Sequence, residues 1–355
     1  MKKAVLLVAV LLLVLPFTAL SAQESLIESV CFVTDTAGVN DGGFNSSAFD
    51  GMEMASEEFD LETTVIESGD AIDYEPNVEL CVTEGYDAVI TVGFLLTDTT
   101  FAAAQANPDV YFVGIDQGYA EALPNLVSVT FREDQAGFLV GAMAALMTES
   151  GIIGGVYGID IPPVVKFRNG YEQGALYINP DIVTIGAYID SFDAADRGRA
   201  LAEQLIGEGA DVIFGAGGPT GSGGIGLAAA EGVWAIGVDK DEYFTTFGEG
   251  ETPGAEYLIS SAMKRIDQGV YQMLALLANG EMFPESGSIV LDAANDGVGF
   301  APAHDAEVPE EVTAQIEEIL AGLADGSIET GVDPASGMLM SEMEMEMTPE
   351  ATPGS

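Results

Sequence analysis

Short apolar runs recur along the chain, each followed by a polar, glycine-containing stretch and then by apolar positions at helical spacing. The first run is residues 30–33, and beyond it Ala48, Met52, Ala55 and Phe59 are spaced by four, three and four, which places them on one helical stripe. The same alternation predicts strands at 63–67, 88–92, 111–115 and 126–131, with helices at 76–83, 97–106 and 134–147. The pattern then starts again. Strands are expected at 151–157, 183–189, 211–215 and 234–238, with helices at 164–177, 194–207 and 225–231. A late strand at 257–261 leads into a helix at 262–278, followed by short strands at 288–291 and 298–301 and an amphipathic helix at 308–323.

Strand and helix alternating in this way predict an α/β protein with parallel sheets, because parallel neighbours need a crossover element. A chain of 355 residues is too long for one ordinary core, and the repeated pattern divides it into two doubly wound lobes. Lobe one is expected over 28–131 with a return segment near 258–283, and lobe two over 132–257 with 284–325. Several connections would then form a hinge, with a ligand held between the lobes.

The ends read differently. Met1-Lys2-Lys3 is followed by an uncharged apolar stretch and by small residues up to Ala22, the pattern of a secretory signal at 1–22. No basic stop-transfer flank follows, so an exported protein is expected, at the periplasmic or extracellular face of the membrane. At the other end, 332–355 turns to Met, Glu, Ser, Thr and Pro and reads as a disordered acidic tail; nothing else there marks a metal site.

Charge narrows the partners. A formal net charge of −48 makes nucleic acid and anionic membranes poor partners, since binding phosphates needs a basic patch. The few bases beyond the leader are Arg132, Lys166, Arg168, Arg197, Arg199, Lys240, Lys264 and Arg265, most of them beside glycine-rich or strand-end segments. Cys31 and Cys81 can pair in an oxidising compartment or stand as buried thiols. Cys31 lies inside the first strand, away from the cleavage site, so it does not read as a lipid-attachment cysteine.

Candidate chemistry gathers at strand ends, where open α/β sheets bind ligands. Asp35, Asp116 and Asp239 each end an apolar run, and carboxylates there can accept paired hydrogen bonds from hydroxyls or amines, or cap the next helix. In the loop at 35–51, Asn45 and Ser46 suit the helix cap, and Phe44 is either a hydrophobic staple or a stacking surface for a flat ligand. The segment Gly215-Ala-Gly-Gly-Pro-Thr-Gly-Ser-Gly-Gly224 lacks dinucleotide and triphosphate spacing, but it lets ligand atoms approach the backbone. No nucleophile with a base and no paired-histidine or Cys-x-x-Cys motif is present, and His304 stands alone in a late loop. No cofactor is expected.

Six segments in order resemble one family. They are the loop at 35–51, Val113-Gly-Ile-Asp116, Gly158-Ile-Asp-Ile-Pro-Pro-Val-Val-Lys-Phe-Arg-Asn-Gly-Tyr171, Ala210-Asp-Val-Ile-Phe-Gly-Ala-Gly-Gly218, Ile236-Gly-Val-Asp239 and Ser260-Ser-Ala-Met-Lys264. Over residues 30–302 the chain is similar to the basic membrane protein family of ABC-transporter solute-binding proteins, which includes purine nucleoside receptor lipoproteins. The resemblance implies a type I periplasmic-binding fold closing on a nucleoside, no enzymatic activity, a permease partner and a monomer. It implies further that Phe44 stacks on the base, that Asp35, Asn45 and Asp116 lie beside it, and that Gly217, Gly218, Asp239 and Lys264 hold the ribose. Phe167 and Phe214 are candidates for a second ring. Two departures stand out: no cysteine occupies the cleavage site, and Asp41-Gly-Gly-Phe44 lacks the basic residue that many relatives carry after the aspartate. Another small solute, such as a sugar or a signalling molecule, or an exported nucleoside hydrolase are the competing readings.

Overall fold

The computed structural model describes residues 24–347 of the chain. The leader expected at 1–22 and the tail beyond 347 lie outside the described residues. In the first lobe Ser29–Val33 (β1) is buried from Val30 onward, as a strand covered on both faces must be. It is followed by Phe44–Phe59 (α1), Glu62–Ile66 (β2), Tyr74–Glu84 (α2), Ala88–Val92 (β3), Thr97–Ala106 (α3), Tyr111–Ile115 (β4) and Leu126–Phe131 (β5). The second lobe is built from Glu133–Met147 (α4), Ile152–Tyr157 (β6), Pro162–Ile178 (α5), Val183–Tyr188 (β7), Ala195–Gly207 (α6), Val212–Ala216 (β8), Gly218–Ala230 (α7), Trp234–Asp239 (β9) and Leu258–Lys264 (β10). The chain then returns through Ile266–Ala278 (α8) and Ser288–Leu291 (β11), and crosses back to Val298–Phe300 (β12) and Glu310–Asp325 (α9).

The sheets share one topology. Their orders are β11-β5-β4-β3-β1-β2 and β12-β10-β9-β8-β6-β7, parallel throughout except for the antiparallel pairing of β12 on β10. Two doubly wound parallel-sheet lobes are therefore present, as the alternation predicts. The late strands fall differently from expectation: β10 joins the second sheet beside β9, and β11 joins the first beside β5. An apolar run specifies a strand but not which of two open parallel edges receives it. Strand β10 also runs on to Lys264, so the helix expected from Ala262 begins only at Ile266.

Three connections link the lobes, at Arg132, at Arg265 and between β11 and β12. They lie side by side: the Arg132 amide donates to Leu291 O at 2.9 Å, and the Arg265 amide to Gly297 O at 2.9 Å. Each arginine also clamps the aspartate two residues on, Arg132 on Asp134 and Arg265 on Asp267, through two hydrogen bonds of 2.8–3.0 Å. Beyond the first crossing, α4 and α5 pack with their backbones almost touching. A Cβ on Gly137 would lie 2.4 Å from Phe167 O, and one on Gly170 would lie 2.2 Å from Asp134 O.

The expected disordered tail is folded as far as the structure describes it. Val332 is buried and bridges Leu339, Thr330 Oγ1 donates to Asp134 at 2.5 Å, and Met340–Met347 (α10) is helical. The polar composition misled here because a few local anchors hold the segment: Asp333 accepts from the Ala335 and Ser336 amides, and Asn169 donates to Gly337 O. Cys31 and Cys81, left open above, form a disulfide between β1 and α2.

The disulfide closes a loop 50 residues apart in sequence, so replacing both cysteines with alanine should lower unfolding stability by about 2–4 kcal/mol. Urea melts of wild type and variant under oxidising conditions measure this. Identical midpoints would show that the bridge adds no stability.

Candidate functional site

The loop after β1 is organised by Asp41, which sequence reasoning passed over. Its carboxylate accepts from the Gly43, Asn45 and Ser46 amides at 2.8–3.0 Å, so it caps α1 in place of Asn45 or Ser46. Asn45 is instead spent internally. Its Nδ2 donates to Asp35 at 2.8 Å and Asp41 at 3.1 Å, and its Oδ1 accepts from the Asp35 amide at 3.3 Å. With its side-chain hydrogen bonds committed, Asn45 fixes Asp35 and has no donor left for a ligand.

Asp116 and Asp239 occupy equivalent places at the ends of β4 and β9. Both take a left-handed backbone, with φ of 60° and 64°. Aspartate tolerates that region better than most residues, at a small conformational cost. Both are buried, and the Oδ1 of each finds no hydrogen-bond donor among the described residues. A buried acceptor left unpaired is costly, so each oxygen is poised to accept from something entering the site.

Lys264 lies between them at the end of β10, 1% exposed. Its Nζ is 2.5 Å from Asp116 Oδ2 and 2.8 Å from Glu133 Oε1, and Lys166 Nζ lies 2.5 Å from Glu133 Oε2. The result is a buried row, Asp116–Lys264–Glu133–Lys166, with two anions and two cations. Burial pushes the Asp116 carboxyl up to about 6 while Lys264 pulls it down. Burial also opposes the charge on Lys264, but Asp116, Glu133 and Asp239 outweigh it and hold that pKa above its ordinary value. For Glu133 the two lysines overcome burial, and its pKa is lowered. Burial raises Asp35 to about 6, against its bonds from the Ala37 amide and Asn45. It raises Asp239 to about 8, with Lys264 opposing and Asp116 adding repulsion.

All eight residues singled out from the sequence, Asp35, Phe44, Asn45, Asp116, Gly217, Gly218, Asp239 and Lys264, line one cleft between the lobes. The Phe44 ring sits 4.9 Å from Lys264 Nζ, a cation–π distance. Gly217 and Gly218, with φ of 129° and 57°, open α7 directly after β8, so the glycine-rich segment is the helix start and not a loop before it. A Cβ on Gly217 would lie 2.6 Å from Gly158. Of the proposed second rings, Phe167 lines the cleft, whereas Phe214 is buried among Tyr157, Phe167 and Tyr171. Phe94 and Phe192 also line it and were missed: each follows a strand as a single ring without periodicity. Glu133 was missed as well, because an acid opening a helix reads as ordinary dipole pairing. The lobes meet at the rim, where Lys240 Nζ pairs with Asp50 at 2.6 Å.

Residues 28–323 match the family model for Bmp, the PnrA-like ABC transporter substrate-binding proteins. The chain is 30% identical over 323 residues to a CD4+ T-cell-stimulating antigen of Listeria monocytogenes, covering 86% of this chain and 88% of that one. It is 31% identical over 279 residues to the ABC transporter nucleoside-binding protein BmpA of Lactococcus lactis, covering 75% and 79%. Among solved structures, an ABC transporter solute-binding protein of Aeropyrum pernix superposes with a TM-score of 0.69 at 27% identity, covering 90% of this chain and 87% of that one.

An acid whose pKa rises on folding binds protons in the folded state over the interval between its two values, for Asp239 from 3.8 to about 8. Stability therefore falls as pH rises through that interval. The melting temperature of the ligand-free protein should drop between about pH 6 and about pH 8, and Asp239→Asn should flatten most of that slope. An equal slope in the variant would remove Asp239 as its source.

Proposed function

The chain belongs to the Bmp family of PnrA-like ABC transporter substrate-binding proteins, and from that premise we propose that it captures a nucleoside outside the cytoplasm for import. As a substrate-binding protein it is not an enzyme; it takes a small-molecule ligand and delivers it to a transporter permease. No helix among the described residues is long and apolar enough to cross a membrane, and the leader supports export of the chain, which we take to act as a monomer.

One observation carries the nucleoside reading: two buried, unpartnered carboxylate oxygens at twin strand ends face one cleft beside an aromatic ring. In this arrangement Phe44 stacks on the base. Asp116 accepts from an amine or ring N–H, with Asp35 held beside it by Asn45. Asp239 accepts from the ribose hydroxyls, a third Lys264 proton reaches a ribose oxygen, and the backbone at Gly217 and Gly218 lets the sugar approach. Four acidic residues against one lysine make the lining acidic on balance, which suits an uncharged ligand and disfavours a phosphorylated one.

Calorimetric titration of ligand-stripped protein with adenosine, guanosine, inosine and uridine should give heat with at least one of them, and adenosine monophosphate should bind more weakly than adenosine. No heat with any nucleoside would overturn the reading. Phe44→Ala should cost roughly 1–3 kcal/mol of binding if a base stacks there, and little if the ligand is a sugar held by hydrogen bonds.

A further inference from the structure

Lys166 does not line the ligand cleft, yet it is 4% exposed and committed to one task. Its Nζ lies 2.5 Å from Glu133 Oε2 and donates to the Phe131 carbonyl at 2.9 Å, one residue before the first crossing. The near-contact of α4 and α5 fixes that distance, because Glu133 opens α4 and Lys166 lies in the first turns of α5. The C-terminal segment packs on the same spot, with Gly337 against the Lys166 backbone.

We infer that Lys166 is a positioning residue for ligand binding: by neutralising Glu133 it leaves Lys264 free to serve Asp116 and the ligand together. The inference rests on the nucleoside reading above. Glu133 is fully buried between two lysines, one on each carboxylate oxygen. Without Lys166, one oxygen loses its cation. Glu133 then either takes up a proton or competes with Asp116 for Lys264, the one base among the residues lining the cleft. The charged groups facing Glu133 and its two lysines are Asp116 from lobe one, Asp239 at the end of β9, and Asp333 on the C-terminal segment, whose carboxyl is held low first by its bonds from Ser336 and also by Lys166.

The test is a charge-removal series on the full chain, titrated with the same four nucleosides from about pH 6 to about pH 8.5. Lys166→Met should weaken binding about tenfold at the alkaline end and less at the acid end, because a proton on Glu133 replaces the lost charge. Glu133→Gln combined with Lys166→Met removes anion and cation together, and should bind within about threefold of wild type without the added pH dependence. A merely structural lysine would lower the melting temperature of both variants and leave the pH profile unchanged. Lys166→Met binding within about twofold of wild type at every pH, or the double variant binding more weakly than the single, overturns the inference. If Lys166→Met does not fold, the double variant decides by itself: affinity within about threefold of wild type supports the role, and any greater loss overturns it. Wild type that binds none of the four nucleosides overturns the ligand reading itself, and this inference with it.

Discussion

The structure depends on a buried ammonium that has to be shared. Lys264 is sealed from water at the point where β10 leaves the second lobe, and a lone charge there would cost several kcal/mol. It is stable because Asp116 reaches it from the first lobe and Glu133 from the first crossing. One ion pair thus spans the lobes and another ties two of the three connections to each other. The cleft inherits its shape and its charge from that arrangement.

In so acidic a chain the placement of the bases is informative. Arg132 and Arg265 clamp the helix starts just past two crossings, Lys166 and Lys264 neutralise the buried row, and Lys240 joins the lobes at the rim. The twin left-handed aspartates follow the same logic. Equivalent strand ends in two sheets of one topology present the same unpartnered oxygen to a common space, so an internal architectural repeat makes a two-sided cleft.

Much of this was legible in the sequence, for local reasons. Buried parallel strands read as apolar runs, and polar residues at their ends mark where ligands approach, so Asp35, Asp116, Asp239 and Phe44 could be named without coordinates. Their meeting in one cleft follows from the topology. What could not be read depends on tertiary contact. The choice of sheet for β10 and β11 is decided by which edge is open, and the internal commitment of Asn45 by Asp35 and Asp41 closing around it. Glu133 and Lys166 are 33 positions apart along the chain and pair only because glycines let α4 and α5 touch. The segment at 332–347 was misjudged from composition, since the Thr330 hydroxyl on Asp134 just before it and a turn at Asp333 anchor it.

The late exchange of strands between the sheets also bears on how the molecule is made. The edge of the first sheet is supplied by residues 288–291, synthesised after nearly all of the second lobe, and residues 298–300 then complete the other sheet. Neither half is therefore a contiguous stretch of polypeptide. A chain of this connectivity completes both sheets only when residues 288–300 are in place, so without that segment each lobe would present an open strand edge.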